Sequence, residues 1–129
     1  MKFAIQVNTS PYQSNAGTTA YRFIIEALAQ RHEIVRVFFY HDGIYHAFKY
    51  ALPPEDERQF SRQWTELARQ HQIDLAVCIS AAQRRGLLSA DEARRQGKVD
   101  EDLAEGFRIA GLGQWVEATL IADRFVVFG

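Results

Sequence analysis

The chain alternates short apolar stretches with amphipathic segments of helical period. Near-continuous apolar runs predict buried strands, and apolar residues at i, i+3, i+4 and i+7 predict one face of a helix. The predicted strands are residues 3–7, 34–40, 75–79, 107–109 and 125–128. The predicted helices are residues 18–31, 55–71 and 114–122. Shorter predicted helical turns begin at residues 80 and 89; Gly86 is the predicted C-cap of the first, and Ser89 with Glu92 predicts a capping box for the second. Residues 41–54 show no clear period and end in two prolines, which predicts a long loop.

Strands that alternate with helices predict one α/β domain over residues 1–129. We expect three layers, α/β/α, around a five-stranded and mostly parallel sheet with the flavodoxin-like strand order 2-1-3-4-5. Ligands of such sheets bind at the carboxyl ends of the strands, at the point where the strand order reverses. The loops at residues 8–17, 41–54 and 111–113 are therefore expected to gather at that edge.

Composition narrows the function classes. An apolar fraction of 47% over 129 residues is typical of a globular domain, and a net charge of −1 gives no overall field that attracts nucleic acid or an anionic membrane. A basic cluster is formed by Arg84, Arg85, Arg94, Arg95 and Lys98, although such clusters are more often solvated helix faces. The first residues predict a strand rather than a signal peptide, and no run has membrane-spanning length, which predicts a cytoplasmic protein.

Cys78 is the only cysteine, which excludes an internal disulfide and a CxxC redox pair. It ends the third predicted strand, and Ser80 with Gln83 three residues later predicts a capping box that begins a helix. The N–H groups of a helix start and the guanidinium groups of Arg84 and Arg85 favour a thiolate over a thiol. The pattern therefore predicts a reactive thiol at the carboxyl edge of the sheet.

Other interpretations of these residues remain open. A lone cysteine in a strand is frequently a small buried core residue, and in that case Cys78 is inert. Cys78 and Arg84 have the C-x5-R spacing of tyrosine phosphatases, but the residues between them contain no glycine and favour helix. His41, followed by Asp42, is a candidate proton shuttle or a simple turn residue. Tyr12 and Tyr45 are candidates to line the crevice, or to pack.

Two further ligand classes fit the sequence poorly. A phosphate-binding loop for a flavin or a nucleotide needs a glycine- or hydroxyl-rich turn after the first strand, whereas the loop here is long and contains Pro11 and Tyr12. A receiver domain needs acidic residues after the early strands, where Asn8 and Tyr40 stand instead. The residues therefore favour neither a flavin or nucleotide site nor a receiver domain.

Four segments together resemble the DsrE and TusD proteins, which are sulfurtransferase subunits of bacterial sulfur-relay complexes. These are V-F-F-Y-H-D-G at 37–43, A-A-Q-R-R-G at 81–86, G-L-G at 111–113 and A-D-R-F-V-V-F-G at 122–129. Their order and spacing cover nearly the whole chain, and Cys78 falls at the position of the family's cysteine.

The resemblance implies a function without a small-molecule cofactor or a metal. Cys78 is expected to accept sulfane sulfur as a persulfide and to pass it to a cysteine of a TusE- or DsrC-type carrier. His41, Ser80, Arg84 and Arg85 are possible assisting residues. The implied partners are TusC/DsrF-like and TusB/DsrH-like subunits in a heterohexamer, with nucleic acid reached only indirectly and no direct membrane contact. The end use is 2-thiolation of the tRNA wobble uridine or dissimilatory sulfur oxidation. The alternative is a non-catalytic scaffold subunit of the same complex, in which Cys78 is buried.

Overall fold

Strands and helices alternate along the chain, as the apolar pattern predicted. A computed structural model describes all residues from Met1 to Gly129. The strands are β1 (Lys2–Val7), β2 (Glu33–Phe39), β3 (Leu75–Cys78), β4 (Phe107–Ala110) and β5 (Arg124–Phe128). The α-helices are α1 (Ala16–Ala29), α2 (Phe60–His71), α3 (Ile79–Arg84), α4 (Ala90–Arg95) and α5 (Leu112–Ile121). None of these helices is long and apolar enough to cross a membrane.

The segment between β2 and α2 differs from its prediction at both ends. A 3₁₀ helix, His41–Ala47, occupies the first half of the predicted loop. Helix α2 begins at Phe60 rather than at residue 55. Residues 55–58 are exposed on every side, so a helix there would have no apolar face to bury before Phe60.

The five strands form one parallel sheet with helices on both faces, which confirms the predicted fold class. The strand order is β4-β3-β2-β1-β5, however, and differs from the expected 2-1-3-4-5. Strand β2 ends in Val37, Phe38 and Phe39, which are all buried, so β2 takes an interior place in the sheet rather than an edge. The half-exposed β5 occupies the edge beside β1 instead.

The first face of the sheet carries α1 and α2. Phe39 contacts Trp64 edge to face with ring centroids 5.2 Å apart, and Trp64 contacts Tyr21 of α1 in the same way. These rings lie in a core of 25 buried residues that includes the inward side chains of β1, β2 and β3. The crossovers from β1 to β4 each advance by one strand in one direction, which places their helices on the same side when the crossovers are right-handed.

Helix α5 covers the second face and is held there by a charged cluster. Asp74, just before β3, accepts hydrogen bonds from Arg36 Nε at 2.6 Å and from Arg108 Nε at 2.7 Å. Both arginines also donate to Gln114 of α5. The hydrogen bond from Arg108, assisted by Arg36, holds the pKa of the Asp74 carboxyl below its ordinary value. The last crossover reverses direction to reach β5, and α5 therefore lies opposite α1 and α2.

Candidate functional site

Cys78 lies at the carboxyl end of β3, where the strand passes directly into α3. Its last sheet pairing is with Ala110 of β4, and its extended backbone, with φ −60° and ψ 122°, caps the start of the helix. The strand before it is buried along its whole length. The sheet therefore fixes the backbone of Cys78 from one side and the helix fixes it from the other.

The predicted capping box at Ser80 is wrong, because α3 begins at Ile79 and Cys78 itself is the N-cap residue. Strand pairing holds Cys78 in an extended conformation up to the helix start, so Ser80 lies in the first turn with no capping role. The helix does end at the predicted glycine. Gly86 has a left-handed φ of 81°, and Leu87 N–H donates to the Ala82 carbonyl at 2.9 Å.

The later capping box, by contrast, is confirmed. Ser89 is the N-cap residue of α4, and its hydroxyl oxygen accepts a hydrogen bond from the backbone N–H of Glu92. A serine that follows a loop can take the N-cap position, whereas two residues before Ser80 the last strand residue, Cys78, has already taken it. Local sequence predicts a cap well where no tertiary pairing competes for the preceding residue.

The thiol is covered in the isolated chain. Cys78 is 1% exposed, although the next two residues, Ile79 and Ser80, are on the surface, with Ile79 at 40%. On the side of β2, Phe39 pairs with Val77, which places Tyr40 level with Cys78 on the neighbouring strand. The thiol is thus buried at the rim of the sheet, while the two residues that follow it in the sequence are exposed.

The two arginines predicted to assist the thiol have different surroundings. Arg84 is exposed and forms no ion pair, so its charge is free to meet an approaching anion. The Arg85 guanidinium is engaged: Nε donates to Asp42 Oδ1 at 2.9 Å and Nη1 donates to the Ala81 carbonyl at 3.0 Å. Sequence reasoning missed this ion pair, because 43 residues separate its members.

His41 lies at the same rim, with its ring stacked on that of Tyr40. Its backbone has a left-handed φ of 49°, and its ring is exposed and stacked on Tyr40 with centroids 4.1 Å apart. The ring forms no hydrogen bond with another side chain. This arrangement suits the turn interpretation of the H-D-G segment better than the catalytic one.

The loop after β1 and the 3₁₀ helix meet at this edge, as predicted. A Cβ added at Gly43 would lie 2.0 Å from the Val7 carbonyl oxygen, so only glycine allows the two backbones to approach. Tyr12 packs edge to face on Phe60, and Tyr45 stacks on Phe48. Tyr12 thus contacts the start of α2 and Tyr45 contacts the residue after its own 3₁₀ helix, and both tyrosines are exposed.

A buried histidine anchors the 3₁₀ helix to these loops. The indole N–H of Trp64 donates to His46 Nδ1 at 3.1 Å, and His46 Nε2 lies 3.1 Å from the Thr9 carbonyl oxygen. The ring is therefore neutral with its proton on Nε2. A Cβ added at Gly17 would lie 2.3 Å from His46 Cε1. Burial lowers the pKa of His46 to about 4, against a weaker opposing effect of the Thr9 hydrogen bond.

Comparison with known proteins identifies the family to which the sequence is similar. The sequence signature described as "DsrE/DsrF-like family" matches residues 1–128. The chain is 51% identical to a DsrE protein of Allochromatium vinosum over 129 residues, which covers 100% of this chain and 99% of that protein. It is 45% identical to a protein named sulfurtransferase TusD homolog from Pseudomonas aeruginosa, which covers 100% of this chain and 98% of that one.

Two further comparisons agree with these. A sulfurtransferase TusD homolog of Vibrio vulnificus is 41% identical over 128 residues, covering 99% of this chain and 98% of the relative. Among solved structures, the ychN protein from E. coli superposes with a TM-score of 0.76 at 22% identity, and 99% of each chain is covered. That likeness supports the fold, whereas the sequence relatives bear on the activity.

Proposed function

The chain belongs to the DsrE/DsrF-like family, and we propose that it is a sulfurtransferase subunit that carries sulfane sulfur as a persulfide on Cys78. Its full-length relatives named sulfurtransferases support the transferase role. The observation that carries the assignment to Cys78 is its place: the only thiol of the chain stands at the carboxyl end of an interior strand, where the strand passes directly into a helix.

The transfer proceeds without net oxidation. The Cys78 thiolate attacks the outer sulfur of a donor persulfide, R–S–SH; the donor S–S bond breaks, and R–S⁻ leaves as Cys78–S–SH forms. A carrier thiolate then attacks the outer sulfur of the Cys78 persulfide. The S–S bond breaks, the persulfide forms on the carrier, and the Cys78 thiolate is released. Because the chain has no second cysteine, it cannot resolve the persulfide as an internal disulfide. The sulfur is retained until a partner arrives.

We further propose that the chain works in an assembly. Helix α5 exposes the apolar side chains of Leu112, Val116 and Leu120, which recur every four residues on one face. A stripe of this kind supports burial against another subunit. By family resemblance the partners are TusC/DsrF-like and TusB/DsrH-like chains in a heterohexamer. The sulfur acceptor is a TusE- or DsrC-type carrier, in a reducing cytoplasm where a free thiol persists.

Mass spectrometry of the intact chain tests the persulfide role. We expect incubation of the assembled complex with a cysteine desulfurase and cysteine to add one sulfur mass to this chain, and a later thiol reductant to remove it. The Cys78→Ser variant is the control and is expected to gain nothing. No adduct on the wild-type chain, or the same adduct on Cys78→Ser, would remove Cys78 from the mechanism.

The burial of Cys78 favours a second candidate, a scaffold subunit whose thiol takes no part in transfer. Iodoacetamide distinguishes the two in the assembled complex under native conditions. A transfer subunit is alkylated at Cys78, and persulfide loading protects it. A scaffold subunit stays unmodified from neutral to mildly alkaline pH.

The end use of the sulfur is tested in cells. A strain that lacks its own TusD chain is complemented with this chain together with its homologous subunits, and 2-thiouridine is measured in its tRNA. Restored thiolation supports the tRNA branch, and no 2-thiouridine although all the subunits are expressed counts against it.

A further inference from the structure

The bridge made by Arg85 joins two elements that the sequence keeps apart. Its guanidinium contacts Asp42 in the 3₁₀ helix and the Ala81 carbonyl in α3 at the same time. Both contacts are of hydrogen-bond length and both use separate N–H groups of one planar side chain. Arg85 is also the C-cap residue of α3, so this bridge fixes the end of the helix that lies away from Cys78.

Helix α3 is short and has few anchors within its own length, although Leu87 directly after it is fully buried. It has six residues, fewer than a helix needs to persist on its own local interactions. Its N-cap residue, Cys78, makes no side-chain capping bond, and its first turn has no acidic residue. Only Ala81 and Ala82 of the helix are buried, and each contributes a single methyl group to the core.

Asp42, at the other end of the bridge, is firmly placed. Gly43 beside it packs directly on the end of β1, and the buried His46 ties the same 3₁₀ helix to Trp64 and the Thr9 carbonyl. The left-handed backbone of His41 precedes Asp42 and is maintained by this packing. The 3₁₀ helix is thus the fixed partner, and α3 is the element that the ion pair restrains.

We propose that Asp42 is a positioning residue that, through Arg85, restrains the short helix α3, which begins directly after the buried Cys78, and so sets how often the thiol is reachable. The proposal rests on the proposed function of Cys78 and concerns the regulation of that same site. The side chains of Asp42 and Arg85 are 47% and 24% exposed. An ion pair this open adds little to global stability, so its loss acts on the local opening of α3 rather than on unfolding of the whole chain.

The rate of Cys78 alkylation by iodoacetamide in the full chain is the test. A buried thiol reacts from the locally open state, so its rate follows the population of that state. We expect Asp42→Asn, which keeps the shape and removes the charge, to raise the rate about three- to tenfold with a nearly unchanged melting temperature. Arg85→Gln is expected to do the same, and Arg85→Lys, which keeps the charge, to stay nearer the wild type.

A double variant and a matched control variant complete the experiment. The double variant Asp42→Asn with Arg85→Gln is expected to react no faster than either single variant, because both remove one interaction. Asp91→Asn breaks an exposed ion pair with Arg94 in α4 and is expected to leave the rate unchanged. An unchanged rate in Asp42→Asn, or effects that add in the double variant, would overturn the positioning role.

Persulfide loading of the wild-type complex, measured on the same preparations, separates this inference from the proposed function. Loading of Cys78 with no response to Asp42→Asn counts against Asp42 alone. Failure to load counts against the transfer role of Cys78, whatever the alkylation rates show.

Discussion

At the scale of single residues, burial divides the polar groups of this site into two kinds. Cys78 and His46 are both nearly inaccessible, but only His46 has its hydrogen-bonding atoms satisfied by neighbours. A polar ring with two partners inside an aromatic core is structural. The Cys78 thiol, by contrast, makes no side-chain capping bond with α3.

His46 predicts a pH dependence of stability. An exposed histidine has a pKa near 6.5, and burial lowers that of His46 to about 4. Between these values the unfolded chain takes up a proton that the folded chain does not, so this contribution is complete above about pH 6.5 and is lost as the pH falls toward 4. From about pH 7.5 to about pH 5, the free energy of unfolding is expected to fall by about 2 kcal/mol on this account.

Urea unfolding of the wild type and of His46→Gln at about pH 7.5 and about pH 5 measures the contribution of His46 to this pH dependence. The glutamine side chain is neutral throughout and offers one acceptor and one donor, so the variant is expected to lose this part of the pH dependence. His71→Gln, at an exposed position, is the control and is expected to keep it. Equal pH dependence in wild type and His46→Gln would show that another group is responsible.

At the scale of elements, the close approach of the 3₁₀ helix to β1 predicts a sharp cost at one glycine. Gly43→Ala places a methyl group 2.0 Å from the Val7 carbonyl oxygen, and backbone on both sides leaves no room to yield. We expect a loss of about 2–4 kcal/mol in the free energy of unfolding, together with faster alkylation of Cys78 because Asp42 moves with the helix.

Gly113→Ala is the matched control for that substitution. Gly113 lies in α5 with no atom within 4 Å of an added Cβ, so alanine is expected to be neutral or slightly stabilising through its helix propensity. Urea unfolding of both variants decides the matter. If Gly43→Ala were as stable as Gly113→Ala, the loop would be free to move and could not anchor Asp42.

The elements show which features local sequence could predict. The strands, the glycine that ends α3 and the capping box at Ser89 follow from local patterns, and all three are present. Strand order depended on which apolar strand needs two neighbours, a tertiary question that periodicity does not answer. The start of α3 and the engagement of Arg85 likewise depended on contacts between distant segments, with Ala110 and with Asp42.

At the scale of the whole molecule, helix α5 leaves an apolar face uncovered in the single chain. It is apolar on its outer face as well as on the side toward the sheet, and a helix of that kind is normally covered on both sides. Leu120, the most exposed residue of the stripe, is 80% accessible in the single chain. The first face of the sheet, by comparison, is closed by α1 and α2 around the aromatic core.

The stripe predicts that a polar change on α5 impairs assembly without unfolding the chain. Leu120→Gln removes an apolar side chain that contacts mainly solvent in the isolated subunit, so its melting temperature is expected to stay within a few degrees of the wild type. When the chain is co-expressed with its homologous subunits, sedimentation is expected to show a large loss of the complex, because burying an unpaired amide in an apolar interface costs about 1–3 kcal/mol. Val99→Gln, at a fully exposed position in the loop before β4, is the matched control and is expected to assemble normally. A Leu120→Gln chain that assembles like the control would show that the apolar face of α5 is not the contact with the other subunits.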